Sequence, residues 1–236
     1  MEITPGLLLR AYAHGLFPMA RSAESDELYW FDPPSRGIIP LDDFHIPRRL
    51  RRELRRGTFE VRYDTAFAQV LEACATPAAD RPTTWINSRI VELYSVLFDI
   101  GHAHSVECWR DGELVGGLYG VSLKSAFFGE SMFSRVTNAS KVALVHLVAL
   151  LRWGGFTLLD TQFTTNHLSR FGGVEVAQRR YKKMLAEALL HSARFRPEAD
   201  ADALTALLAR PPNEPPDDDE NDTPRTSAYP MSDTDH

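Results

Sequence analysis

Three groups of residues in this 236-residue chain have types and spacings that could do chemistry. The first is Asp160-Thr161-Gln162, which follows the apolar run at 156–159. Residues two apart on a strand project from one face. A carboxylate and an amide would then stand side by side at the strand end and could position a polar substrate group, although a cap for the next helix fits the same spacing. The second is Glu130, in Gly129-Glu130-Ser131-Met132-Phe133-Ser134, directly after Ala126-Phe127-Phe128. A carboxylate among apolar and aromatic neighbours must find a partner or shift its pKa upward; a structural Glu held by a backbone donor is the plainer alternative. The third is Arg48-Arg49-Leu50-Arg51-Arg52-Glu53-Leu54-Arg55-Arg56, six arginines in nine residues. With Leu50 and Leu54 between them, they describe a helix with an apolar stripe and a guanidinium face. Guanidinium forks match phosphate oxygens, and a charged row can track a nucleic-acid backbone. A solvated face in a chain with 22 Arg and only 4 Lys is the alternative.

Other candidates carry less. Arg179-Arg180-Tyr181-Lys182-Lys183 is a second, weaker basic cluster. Trp30, Trp85 and Trp109 could stack on bases or simply fill the core. The eight histidines show no metal spacing, and His102 and His104 read as structural. Gly116-Gly117 inside a strand fits a bulge or a close backbone approach, and no nucleotide-binding glycine fingerprint is present.

The elements that must position these groups can be read from period and punctuation. Thr4 and Pro5 open a helix that stops before Gly15. Residues 17–34 read as irregular, since Pro33-Pro34 excludes a regular helix or central strand there. A short basic helix covers 45–57, an amphipathic helix covers 64–74, and Asn87 caps a helix running to about residue 100. Residues 104–110 and 113–121 alternate around Asp111-Gly112, a strong hairpin signal. A third strand is expected at 125–128, and Asn138 is expected to cap an apolar helix at 141–153. A buried strand at 156–161, a short helix at 166–171, a strand at 174–176 and a closing helix at 180–193 follow. The order describes an α+β fold built on a mixed α/β sheet.

Composition narrows the function classes. The net charge is −6, but residues 211–236 hold eight acidic residues and one Arg, so they carry −7 and the remainder carries +1. The acidity therefore does not argue against a polyanionic partner for the body. Past Arg210 little remains to bury, and 209–236 is expected to be a disordered acidic tail. At 44% hydrophobic residues the body can bury a sizeable core. The longest apolar stretch, 142–151, contains His146 and is too short to span a bilayer. The N-terminus lacks the regions of a signal peptide, and Cys74 and Cys108 have no CxxC spacing. A cytoplasmic protein is expected, with no membrane association and no metal.

Read together, several segments resemble the leucyl/phenylalanyl-tRNA–protein transferase family. They are Tyr12-Ala13-His14-Gly15-Leu16-Phe17-Pro18, Thr84-Trp85-Ile86, Gly101-His102-Ala103-His104-Ser105-Val106-Glu107, Leu114-Val115-Gly116-Gly117-Leu118-Tyr119-Gly120-Val121, the block 129–134, Asn138-Ala139-Ser140-Lys141 and Leu159-Asp160-Thr161-Gln162. The resemblance implies a small N-terminal domain (1–36) and an acetyltransferase-like catalytic domain (37–208) that includes a basic helix at 47–56. It implies transfer of Leu or Phe from Leu-tRNA or Phe-tRNA to acceptor proteins with N-terminal Arg or Lys, creating a degradation signal and using no cofactor. Arg48, Arg49, Arg51, Arg52, Arg55 and Arg56 would grip the tRNA acceptor stem, with Trp85 near the terminal adenosine. Leu118, Phe127, Met132, Leu147 and Leu159 would receive the aminoacyl side chain. Glu130 would lie at the aminoacyl end, and Asp160 and Gln162 would activate the incoming amine. A monomer is expected. The chain departs from the family pattern at Met19 and Phe31, where Trp is common, and at Thr161, where Cys is common. An acyl-CoA-dependent N-acyltransferase and a non-catalytic tRNA-binding module are the alternative readings.

Overall fold

The computed structural model describes residues 3–25, 27–77 and 83–209; the acidic segment 211–236 lies outside the described residues. Helix α1 (Pro5–Ala13) begins as its sequence dictates, with Thr4 Oγ1 accepting from the Leu7 amide at 3.2 Å. Gly15, at φ +80°, turns the chain out of it. Strands β1 (Phe17–Ala20) and β2 (Leu28–Phe31) then form a separate two-stranded antiparallel sheet, with Phe17 opposite Phe31. This corrects the irregular reading of 17–34. Both strands of a two-stranded ribbon are edges, where Pro18 costs no ladder bond, and Pro33-Pro34 falls after β2.

The main sheet has seven strands. Strand β3 (Ser35–Ile39) enters it directly after the prolines. Helix α2 (Arg48–Arg56) ends at Gly57 in the left-handed conformation. Strand β4 (Glu60–Tyr63), unexpected from sequence, precedes α3 (Phe67–Ala75) and α4 (Ser88–Asp99). Asn87 caps α4 by accepting from the Ile90 amide at 2.8 Å. Strands β5 (Ala103–Arg110) and β6 (Glu113–Leu123) meet at Asp111 (φ 54°) and Gly112 (φ 80°), the two positive φ values that a type I′ hairpin requires. Strand β7 (Ala126–Ser134) runs six residues beyond its expected end at residue 128.

Then follow α5 (Ala139–Trp153), β8 (Leu158–Gln162), α6 (Asn166–Ser169), β9 (Val174–Ala177), α7 (Gln178–Ala188) and α8 (Asp200–Leu208). Asn138 does not cap α5 with its side chain; it supplies a left-handed residue (φ 71°), which Asn tolerates better than most. The strand order is β4-β5-β6-β7-β8-β3-β9, antiparallel except for β7 and β8, which are parallel and joined through α5. The fold is α+β, with a mixed sheet and a separate N-terminal ribbon.

Each face of the sheet carries an apolar layer. One packs α1, α3, α4 and α7 through Leu8, Tyr12, Val70, Tyr94, Tyr181 and Leu185. The other packs α5, α2 and α8 through Leu144, Leu147, Leu50 and Leu207. His146, inside the buried α5, is accommodated because Tyr63 Oη and Asp200 Oδ1 lie 2.9 and 2.7 Å from its Nδ1. Gly116-Gly117 is a close approach, and the bulge against β5 falls just before it, where Val115 is the extra residue. A Cβ at 116 would sit 2.4 Å from Ala139 Cβ, and one at 117 would sit 2.7 Å from the Val106 carbonyl.

Candidate active site

The parallel pairing of β7 with β8 runs through Ala126–Leu158 and Phe127–Leu159 to Phe128–Asp160 and stops there. Just beyond, each strand slips against its other neighbour. Tyr119 and Gly120 of β6 face Ser131 and Gly129, which leaves Glu130 as an extra residue. Gly37 and Ile38 of β3 face Gln162 and Asp160, which leaves Thr161 extra. A β-bulge re-aims the side chains around it, and here two lie side by side where the strands part.

The second bulge revises one expectation. Strict alternation would put Asp160 and Gln162 on one face, but the extra residue and a φ of +57° at Gln162 break that alternation. The contact that forms instead is through the backbone: the Gln162 amide donates to Asp160 Oδ1 at 2.8 Å. The Gln162 side chain is buried, and its Nε2 has no hydrogen-bond partner among the described residues.

Asp160 is fully buried and saturated. Arg36 Nε donates to Oδ1 at 3.0 Å and Oδ2 at 3.1 Å, Arg36 Nη2 donates to Oδ2 at 2.8 Å, and Tyr181 Oη donates to Oδ2 at 2.5 Å. Arg36 is 1% exposed; its Nη1 donates to the Gly15 carbonyl at 2.9 Å, and its guanidinium lies 4.4 Å from the Phe17 ring centroid and 4.6 Å from that of Tyr181. Burial opposes the arginine's charge, yet the Asp160 carboxylate outweighs it and holds the Arg36 pKa above its ordinary value. Burial, then the Asp160 charge, pushes the Tyr181 hydroxyl up, so it stays a donor. Sequence reasoning missed Arg36 and noticed Tyr181 only inside a basic cluster. The usable signal was chemical: a carboxylate ending a buried strand needs a buried cation.

Glu130 forms the second centre. Tyr12 Oη donates to its Oε1 at 2.7 Å, Tyr94 Oη to its Oε2 at 3.0 Å, and the two hydroxyls lie 2.5 Å apart. Three contacts among these groups can share only two hydroxyl protons while the carboxyl is ionised; a protonated carboxyl supplies the third. Burial is the main cause that pushes the Glu130 pKa up to about 7. The two tyrosine hydroxyls pull against it, Asp160 adds to it, and Arg36 opposes it. The mutual influence of Glu130, Asp160 and Arg36 joins the two centres electrostatically.

The remaining expected residues separate into groups. Leu118, Phe127, Leu147 and Leu159 lie together in the layer beneath α5, with Met132 partly buried against it. The polar centre draws its tyrosines from the opposite layer. The end of the β7–β8 pairing is where the two sets meet. On α2, Leu50 is buried, and Arg48, Arg49, Arg52, Arg55 and Arg56 are exposed. Arg51 turns inward, donating to the carbonyls of Ile46 at 3.3 Å and Leu208 at 3.2 Å. Trp85 is buried in the layer around α1 and α4, and its carbonyl accepts from the Ala20 amide. His104 links Asp64 (2.8 Å) to Ser122 (3.2 Å) in the order of a hydrolytic triad. However, Phe195 stacks across its ring, and the Ser122 hydroxyl lies within reach of the His102 carbonyl. Among the described residues no group of three or more His, Cys, Asp or Glu is arranged to hold a metal, and no helix is long and apolar enough to cross a membrane.

Comparison with known proteins places this chain in a family. Residues 38–186 match the family model described as leucyl/phenylalanyl-tRNA protein transferase, and residues 1–34 match its N-terminal domain. A leucyl/phenylalanyl-tRNA–protein transferase of Paramagnetospirillum magneticum is 61% identical over 193 residues, 82% of this chain and 92% of that protein. The protein of the same name from Nitrobacter winogradskyi is 56% identical over 215 residues, 89% of this chain and 96% of that protein. Among solved structures, the C-terminal DUF2156 domain of a proposed lysylphosphatidylglycerol synthetase from Agrobacterium fabrum matches at 15% identity, covering 88% of this chain and 69% of that one. Its TM-score of 0.36 does not establish a shared fold. The family models together span most of the chain and the relatives are matched over nearly their full length, so this chain belongs to the leucyl/phenylalanyl-tRNA–protein transferase family.

Proposed function

We propose that this chain transfers Leu or Phe from aminoacyl-tRNA to the α-amino group of proteins that begin with Arg or Lys, acting as a monomer in the cytoplasm. The observation that carries the reading is the pair of neighbouring bulges, which sets a buried carboxyl and a buried side-chain amide without a partner among the described residues where β7 and β8 separate. The ester of an aminoacyl-tRNA is already activated, so the protein's task is positioning and proton management. The acceptor nitrogen attacks the ester carbonyl carbon. A C–N bond forms, the bond from that carbon to the ribose oxygen breaks, one proton leaves the amine, and one proton reaches the ribose hydroxyl. With an unperturbed pKa of about 8, part of the amine is already neutral at physiological pH.

Gln162 orients the incoming amine through its side-chain amide. Asp160, its oxygens occupied by Arg36, Tyr181 and the Gln162 amide, holds that turn in place and does not serve as the proton acceptor. Glu130, with a pKa of about 7, exchanges a proton readily at physiological pH and faces the aminoacyl end. Leu118, Phe127, Leu147 and Leu159 back the aminoacyl side chain, and partly buried Met132 meets it first. The exposed arginines of α2 hold tRNA phosphates, and Trp85 buttresses the terminal nucleotide's side of the site.

The test is incubation of the purified full-length chain with Leu-tRNA and an Arg-initiated peptide. A mass gain of one leucine residue on the peptide is expected. Tight tRNA binding with no transfer would support the binding module in its place, and acylation only from an acyl-CoA donor would support the acyltransferase alternative.

A further inference from the structure

Arg36 occupies a singular place in the chain. It lies between the spans matched by the two family models, 1–34 and 38–186. It is buried, and its side chain bonds to residues on both sides of that boundary. On one side it donates to the Gly15 carbonyl and lies against the Phe17 ring, both in the N-terminal span. On the other it grips both oxygens of Asp160 and lies against Tyr181. The segment around it is tied to α7 as well: the Gln178 amide donates to the Pro34 carbonyl at 2.9 Å, and Lys182 Nζ donates to Asp32 Oδ2 at 2.6 Å. Gly15 leaves no slack, since a Cβ there would sit 3.0 Å from the Tyr181 ring.

The consequence for chemistry runs through one atom. Asp160 Oδ1 accepts both from Arg36 Nε and from the Gln162 backbone amide. Gln162 is held in the left-handed region, which only a surrounding network can sustain for such a residue. We propose that Arg36 is a positioning residue for amine transfer: by anchoring Asp160 to the N-terminal domain it fixes the Gln162 turn, so that the catalytic domain's site is complete only with the N-terminal domain docked. The inference rests on the transfer reading above and adds a residue and a domain dependence to it. Arg36 touches no substrate in this scheme. Its loss acts on kcat, since a misplacement of about 1 Å in a positioning group costs about 10²-fold, and leaves tRNA affinity alone.

The test uses full-length Arg36→Lys, Arg36→Met, Asp160→Asn and the Arg36→Met/Asp160→Asn double variant, with Leu-tRNA and an Arg-initiated peptide. Arg36→Lys keeps the charge but lacks the fork. It is expected to lower single-turnover transfer by about 10- to 100-fold, with the tRNA Kd within twofold of the parent and the Gln162 backbone amide resonance displaced. The double variant is expected to transfer no more slowly than the slower single variant, as for residues that act as a unit. Multiplying losses in the double variant, or an unmoved Gln162 amide in Arg36→Lys, would overturn the proposal. Should Arg36→Met not fold, Arg36→Lys decides alone through transfer rate and amide shift. Failure of the parent chain to transfer would overturn the transfer reading instead, and the Gln162 amide would still report on the positioning role.

Discussion

Replacing Glu130 with Gln separates the electrostatics of the site from its packing. The Glu130 carboxyl titrates at an ordinary value of 4.5 when unfolded and at about 7 when folded, because burial disfavours its charged form. Below about pH 4.5 it is neutral in both states and contributes no pH-dependent cost. Between about 4.5 and 7 the unfolded chain releases the proton while the folded protein keeps it, so stability falls as pH rises. Above about 7 the loss is complete. At 1.36 kcal/mol per pKa unit, the difference amounts to about 3 kcal/mol. Gln removes this term. Its amide also rearranges the bonds to Tyr12 and Tyr94, but that offset does not vary with pH. Urea unfolding of parent and Glu130→Gln should be followed from pH 5 to 8.5. The stability of the variant minus that of the parent should grow by up to about 3 kcal/mol across this range and level off above about pH 7. A difference that stays flat, or that shrinks with pH, would refute a buried, reluctantly charged Glu130.

Other perturbations address the remaining parts. Gln162→Ala should fold normally yet lose about 10²-fold in kcat, whereas Asp160→Asn should lose transfer and also about 3–5 kcal/mol of stability by stranding Arg36; paired kinetic and urea-unfolding measurements check this. Exchanging Arg52, Arg55 and Arg56 for Gln should flatten the slope of log Kd for tRNA against log salt by about 2–3, while Arg51→Gln should leave the slope alone and lower Tm, since Arg51 holds the Leu208 carbonyl. A Cβ at position 37 would sit 2.4 Å from the Phe163 carbonyl carbon, directly across from the Thr161 bulge. Gly37→Ala should therefore depress kcat more than tRNA affinity, measured by single-turnover transfer and filter binding.

Much of the fold was legible because its signals are local. Thr4-Pro5, Asn87 and Asp111-Gly112 act within a few residues of themselves, and the structure shows the caps and the hairpin that they imply. Strand β4 was missed since Glu60-Val61-Arg62-Tyr63 alternates over four residues only, too short a run to stand out, and is held as a strand by its pairing with β5. The α2 arginine face was legible as a pattern, but not the inward turn of Arg51, which depends on where α8 ends.

The site divides along the same line. Asp160, Gln162 and Glu130 stood out from their types and neighbours, because a carboxylate in apolar surroundings is a local anomaly on the page of sequence alone. What surrounds Asp160 and Glu130 was decided by contacts made 21 to 124 residues away. Arg36 reaches Asp160 across 124 residues, and Tyr12 reaches Glu130 across 118. Register decided the rest: one extra residue at Thr161 and one at Glu130 redirect the chemistry, and a bulge is a property of two paired strands. The amino-acid sequence by itself therefore determined which groups are available and the family to which the chain belongs. Only the tertiary structure decided that Asp160 is saturated by Arg36, Tyr181 and the Gln162 amide, and that Arg36 also bonds Gly15, because saturation of a buried carboxylate depends on which donors the fold brings within about 3 Å of it.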